Sequence, residues 1–241
     1  MQCNEITVKT PENSAAPVSS TLALDALNQL REEIIYGKLK PGEKLRVQHL
    51  KEEYGVSAAT LREALSLLVS ESLVTATAQR GFNVAPISLE DLRDISEMRV
   101  LLEVRAACKS VENGDEDWEV GLVGAYHRLT NVEEQASDLA GEASDIWEQR
   151  NTEFHEALVA ACPSHWNRRF RTVLHTHSER YRRMSLQTVG VSRDVHEEHK
   201  QIFDAAMVQD VKKLKSVLTQ HIEKTFDVVH ELVATDHQKG D

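Results

Sequence analysis

Residues 46–71, RVQHLKEEYGVSAATLREALSLLVSE, constrain the fold of this chain more than any other stretch. Val47, Leu50 and Tyr54 recur at helical spacing. Gly55 follows, the residue that turns left-handed at no steric cost. Val56 plugs the corner, and Ser57 is a natural cap for a second helix opening at Ala58. Leu61, Leu65 and Leu68 share one face of that helix. Two short helices meeting at a Gly-containing turn form the geometry that inserts a helix into a DNA major groove. The plain alternative is a helical hairpin inside a small core.

A net charge of −11 over 241 residues looks wrong for a DNA reader until it is divided along the chain. Residues 1–88 hold 9 Lys and Arg against 10 Asp and Glu, which leaves 19 against 29 for the rest. The acidity lies in the second part. Lys44, Arg46, Lys51, Arg62 and Arg80 remain near the expected DNA face, and phosphate binding depends on local rather than total charge. Aromatics at 5%, with 5 Pro and 10 Gly, point to helices rather than sheets. Three cysteines, Cys3, Cys108 and Cys162, form no CxxC pair and fit a reducing, cytoplasmic setting. No apolar run reaches the roughly 18 residues of a membrane span, and residues 1–20 lack the pattern of a secretory signal.

Taken in order, residues 1–19 read as a flexible polar arm. A helix over about 21–36 carries Leu24, Leu27, Ile34 and Ile35, and Gly37 ends it before a Pro41-Gly42 turn. After the helix-turn-helix, Leu73–Thr77 and Phe82–Ala85 are β-rich runs flanking a hairpin loop at 78–81. Helix, helix-turn-helix and hairpin in this order predict a winged helix, with Gln79 and Arg80 at the wing tip, in reach of phosphate or the minor groove. Pro86 closes the wing, and Ser88-Leu89-Glu90-Asp91 reads as a capping box. From there only amphipathic helices are expected, over about 89–111, 115–138, 143–161, 165–187, 193–208 and 210–234. The predicted class is mostly α. A winged helix-turn-helix domain (20–86) precedes an all-α antiparallel helical bundle (87–236).

Polar residues interrupt the bundle's apolar stripes. Arg99 stands in the series Leu92, Ile95, Arg99, Leu102, Ala106. Asn151 and His155 accompany Trp147, Phe154 and Leu158. His199 lies with Val195, Ile202 and Ala206, and His221 with Leu214, Val217, Thr225 and Val228. Buried polar groups need partners, and a cluster converging inside a bundle is the layout of a metal or ligand site. Three imidazoles and one amide oxygen can hold Zn²⁺ or a similar cation with positions open for a ligand. The competing reading of each histidine is a hydrogen-bonded core residue. A buried Arg99 wants an anion: a ligand, Glu103 four residues on, or a carboxylate of another helix. On the helix over 165–187, His177 and Tyr181 fall on the apolar side, as if lining a cavity. Its arginines read as a solvated face or an interdomain or dimer contact. His196 and His230 read as surface, and Trp118, Trp147 and Trp166 as core or cavity walls. No Gly-rich phosphate loop, nucleophile elbow or HExxH is present.

The chain resembles the GntR family of transcription regulators, FadR type, over about 21–234. The winged-helix marks run from Gly37-Lys38-Leu39-Lys40-Pro41-Gly42-Glu43-Lys44-Leu45 through Leu50, Gly55-Val56-Ser57, Leu61-Arg62-Glu63-Ala64-Leu65 and Leu73-Val74 to Gly81-Phe82-Asn83-Val84. The second part is similar to the helical FCD effector domain, through Arg99 with Leu102-Glu103, Phe154-His155, His199 and His221. Within the family it is most similar to repressors of carboxylate catabolism, the CsiR-like and VanR-like groups. The resemblance implies a homodimer on a palindromic double-stranded operator and a small carboxylate effector that releases it. It also implies a divalent metal, zinc or alternatively nickel, held by an Asp and three His, here Asn151, His155, His199 and His221. Arg99 matches the arginine facing the ligand, and Tyr181 joins it as a candidate effector contact. Arg62 matches the recognition-helix arginine. Ala58 stands where relatives often carry Arg, and Gln48 where they are commonly charged. Base reading is therefore expected from Ser57, Ala59, Thr60 and Arg62.

Two rival readings carry their own discriminators. A metal-dependent enzyme with an appended DNA-binding domain would consume its ligand, and no general base is evident beside the histidines. A helical scaffold with purely structural polar residues would gain no stability from small acids.

Overall fold

The computed structural model describes residues 18–77, 81–135, 142–186 and 193–238. It divides into two compact units, Met1–Arg31 with Lys44–Asn83, and Glu32–Glu43 with Val84–Asp241. The arm expected over residues 1–19 lies outside the described residues except for its end, which starts the first helix.

Helix α1 spans Val18–Ile35, β1 Lys44–Leu45, α2 Val47–Glu53, α3 Ala58–Ser70, β2 Val74–Thr77 and β3 Gly81–Val84. Gly55 takes φ +64° between α2 and α3, the left-handed conformation that the turn requires. Ser57 caps α3, its Oγ accepting from the Thr60 amide at 3.1 Å. Leu61, Ala64, Leu65 and Leu68 bury the inner face of α3 alongside Leu27, Leu30, Leu45, Leu50 and Val74. Leu24, expected inside, is 53% exposed, and Ala23 and Ala26 take the inner face of α1 instead. The sheet is three-stranded in the order β1-β3-β2, with Lys44 opposite Asn83 and Leu45 opposite Phe82. The third strand was not expected: two residues are too few to show alternation. Arg31 and Glu71 close the unit with paired hydrogen bonds of 2.8 and 2.6 Å.

In the second unit, α4 (Leu89–Arg99) passes through a π-helical turn, Val100–Val104, into α5 (Arg105–Asn113). The expected single helix therefore contains a widened turn, a feature invisible to a 3.6-residue period. Then come α6 (Glu116–Gln135), α7 (Glu142–Leu158), α8 (His165–Leu186), α9 (Val195–Met207) and α10 (Val211–Gln238). Helix starts coincide with caps written in the sequence. Ser88, Asp115, Ser164, Asp194 and Asp210 each accept a backbone N–H three residues on. Gly114 lets the chain pass the Trp118 indole, since a β-carbon there would stand 2.2 Å from the ring. Helices α6 and α7 pack as a pair, and α10 touches α4, α5, α8 and α9. The core joins Trp118, Leu122, Leu129, Trp147, Phe154, Leu158, Ile202, Leu214, Leu218 and Ile222. Trp166, expected as core, is 60% exposed and stacks on Phe170. Among the described residues no helix is long and apolar enough to cross a membrane.

Candidate functional site

On the winged-helix unit, the exposed side of α3 carries Ala59 and Arg62, with Thr60 half-buried and Arg46 exposed ahead of α2. Among the described residues the Arg62 guanidinium makes one long contact, Nη1 to the Ala58 carbonyl of its own helix at 3.4 Å, which leaves it available outward. Ser57 caps α3 as expected, and its hydroxyl lies 2.8 Å from the Thr60 hydroxyl. Gln79 and Arg80 lie outside the described residues.

In the bundle, the structure gathers His155 from α7, His199 from α9 and His221 from α10. One ring nitrogen of each lies within 4.8 Å of the others, and all three residues are buried. Asn151, one turn before His155, lines the same small cavity together with Arg99, Trp147, Arg182, Arg193 and Thr225. Among the described residues its Oδ1 is buried without a hydrogen-bond partner, as is Nε2 of His199. Buried acceptors are seldom left without a partner, and these are atoms that a bound ion or water would satisfy. The donor set of three imidazoles and an amide oxygen therefore fits a borderline divalent cation such as zinc.

Each histidine meets a carboxylate through Nδ1. His199 lies 2.7 Å from Glu133, His221 2.9 Å from Glu198, and His155 4.0 Å from Glu103. Carboxylates behind ligating imidazoles fix tautomer and ring orientation. Burial, then the neighbouring His221 and His199, holds the His155 imidazole well below its ordinary pKa. Burial also lowers His221 to about 3, against the opposing pull of Glu198. Both rings are therefore neutral, the form that ligates metal. Burial pushes the Glu133 carboxyl up, but the hydrogen bonds from His199, Trp147 and His196 and the attraction of His199 together outweigh it, and the group ends below its usual range.

Arg99 is 2% exposed. It donates from Nε to Glu103 and from Nη1 to Ser178, both at 2.7 Å. The ion pair with Glu103 expected as one alternative is present. Arg193, at the start of α9, reaches Glu198 at 2.7 Å, the His221 carbonyl at 2.9 Å and the Thr225 hydroxyl at 3.1 Å. The cavity measures about 10 Å³, the size of one water.

Tyr181 is not part of this site. Its hydroxyl donates to Asp91 at 2.7 Å, and its ring packs with Leu92, Ile95 and Val229. His175 rather than His177 faces inward, 6.1 Å from the His155 ring, with Nε2 unpartnered. The arginines of α8, expected as a solvated or contact face, are mostly buried: Arg171 is paired with Glu156, and Arg182 with Glu148. Asn167, Arg171, His175, Ser178 and Arg182, spaced by three or four, form the polar inner stripe of α8. That spacing is legible in the sequence, but the rule that charges face water hides it. Glu133, Glu148 and Glu198 were missed for the same reason. His196, expected at the surface, also reaches Glu133, at 3.2 Å.

These features define a class: a winged-helix DNA-binding protein with an appended all-helical domain. Residues 22–84 match the family described as bacterial regulatory proteins, gntR family, and residues 94–224 match the FCD domain. The HTH-type transcriptional regulator BphR of Paraburkholderia xenovorans (strain LB400) is 41% identical over 220 residues, covering 90% of each chain. The HTH-type transcriptional repressor GlaR of Escherichia coli (strain K12) is 32% identical over 216 residues, 88% of this chain and 97% of that one. The solved structure of E. coli McbR/YncC superposes with a TM-score of 0.71 at 21% identity, covering 88% of this chain and 98% of that one, and supports the fold. The chain belongs to the GntR family of transcriptional regulators, with an FCD domain. It is a DNA-binding regulator of transcription, not an enzyme.

Proposed function

We propose that this regulator is a homodimeric repressor of a carboxylate catabolic operon, released from a palindromic operator when a small carboxylate enters the FCD domain. The observation that carries this reading is the convergence of His155, His199, His221 and the orphaned Asn151 oxygen beside the Arg99 guanidinium. Asn151 and the three imidazoles would hold a divalent metal, zinc or nickel, which would supply a Lewis-acidic anchor for a carboxylate. Arg99, and with it Arg182 and Arg193 on the same cavity wall, supply the charge that an acid requires. A cavity of about 10 Å³ has no room for such a ligand. Binding therefore requires side chains to move, and Arg193, tied to α10 through His221 and Thr225, is the group to give way. A ligand that binds the moved arrangement better shifts the population toward it, and that shift is the signal passed to the DNA-binding unit. On the DNA side, Arg46, Ala59, Thr60 and Arg62 contact the operator, Ser57 positions α3 as its cap, and Gln79 and Arg80 extend the contact from the wing.

A thermal-shift screen of small mono- and dicarboxylates, with and without zinc, tests this. At a hundredfold excess over Kd, a ligand specific to the folded state adds about 2.7 kcal/mol, or roughly 5–10 °C. We expect such a shift only with zinc present, and its loss in His155→Ala. Equal shifts without metal, or none with any acid, would refute the reading.

A further inference from the structure

The interior carboxylates of the FCD domain are not equivalent. Glu103 is matched by Arg99 at 2.7 Å, Glu148 by Arg182 at 2.9 Å, and Glu198 by Arg193 at 2.7 Å. Glu133 has no such partner. Its side chain is 5% exposed, and among the described residues no Lys or Arg nitrogen lies within 4 Å of it. Its hydrogen bonds come from His199 Nδ1 at 2.7 Å, His196 Nδ1 at 3.2 Å and Trp147 Nε1 at 3.2 Å. A buried carboxylate without a counter-charge is expensive to keep. The ring of His199 separates it from the point where His155, His199 and His221 converge, and the Nε2 of that ring is itself unpartnered.

We propose that Glu133 is a positioning residue of the metal centre. It fixes the His199 ring with Nε2 toward the ion and supplies, through that ring, the negative charge that the neutral Asn151 does not. This rests on the reading that the three histidines hold a divalent cation. An aspartate at position 151 would place its charge on the metal directly. Here the charge stands one imidazole away, and the hydrogen-bonded carboxylate raises the basicity of the ligating nitrogen. The metal is in turn the counter-charge that Glu133 lacks.

Zinc affinity, measured on the full chain by competition with a chromophoric chelator, tests this in the parent, in Glu133→Gln and in Asn151→Asp/Glu133→Gln. Glutamine keeps one acceptor oxygen for His199 and Trp147 and removes the charge, replacing the oxygen on the His196 side by an amide NH2. Its zinc affinity is expected to fall about 10–100-fold, and the added aspartate is expected to restore at least about tenfold of that loss, within the same range. The melting temperature of the metal-free Glu133→Gln protein is expected to stay close to the parent's. Parental zinc affinity in Glu133→Gln, or no recovery in the double variant, overturns the assignment. So does a Gln variant that fails to fold or melts far lower without metal, which would make Glu133 structural. A parent that takes up no zinc removes the metal reading itself, a different result from a parent and a Gln variant that bind alike.

Discussion

Arg182 and Lys200 each face a carboxylate at 2.9 and 2.7 Å, yet the two contacts carry different weight. Arg182 and Glu148 have side chains 9% and 1% exposed, whereas Lys200 and Asp204 are half exposed. Among the described residues Arg182 is the one cation within 4 Å of Glu148. Arg182→Met keeps the aliphatic bulk but strands that carboxylate, which costs about 3–5 kcal/mol. A fall in Tm of roughly 6–20 °C is expected. Lys200→Met removes an exposed i,i+4 pair that water and salt screen, so calorimetry should register little. The same contrast governs Arg62, whose exposed guanidinium makes, among the described residues, only a long contact to its own helix. Arg62→Ala is expected to leave stability within about 0.5 kcal/mol. Operator affinity should fall by about 1–3 kcal/mol if the residue reads a base edge. Fluorescence anisotropy on a DNA fragment selected by the parent measures that loss, and unchanged binding would move the recognition surface elsewhere.

At the level of elements, what was legible followed from local rules. Gly55, Ser57, Ser88, Asp194 and Asp210 mark turns and caps by their own chemistry, and the helices they bound lie close to where periodicity places them. The residues that escaped are those where tertiary context overrides pattern. The two-residue strand β1 exists because β3 pairs with it. The turn over Val100–Val104 departs from the 3.6-residue period, and the inner stripe of α8 is polar. His155, His199 and His221 were readable because each interrupts an apolar series. Glu133 and Glu198 were not, since a glutamate on an amphipathic helix normally faces water. Backbone conformation gives a paired test. Gly55→Ala, at φ +64°, forces a side chain into the left-handed region and should cost about 1 kcal/mol or more. Gly121→Ala lies inside α6 with open space around the new β-carbon, and should gain about 0.4–1 kcal/mol. Urea titration with unchanged slope would show both effects as shifts of the midpoint alone.

For the whole molecule, the uneven charge has a use. A net charge of −11 disfavours indiscriminate binding to DNA, and the proposed approach through Arg46 and Arg62, exposed on the winged helix, is the mode that local positive charge favours. The central claim couples two places: occupancy of the site built from Asn151, His155, His199 and His221 sets the affinity of the head for DNA. Allosteric couplings of this kind amount to roughly 5–150-fold in affinity. Operator binding by zinc-loaded and chelator-stripped protein, titrated with the carboxylate that gives the largest thermal shift, measures the coupling directly. The account predicts that the acid weakens operator binding within that range for the zinc-loaded protein, and leaves the stripped protein and His155→Ala unmoved. Operator affinity indifferent to the acid in the zinc-loaded protein, or equally sensitive without zinc, would contradict it.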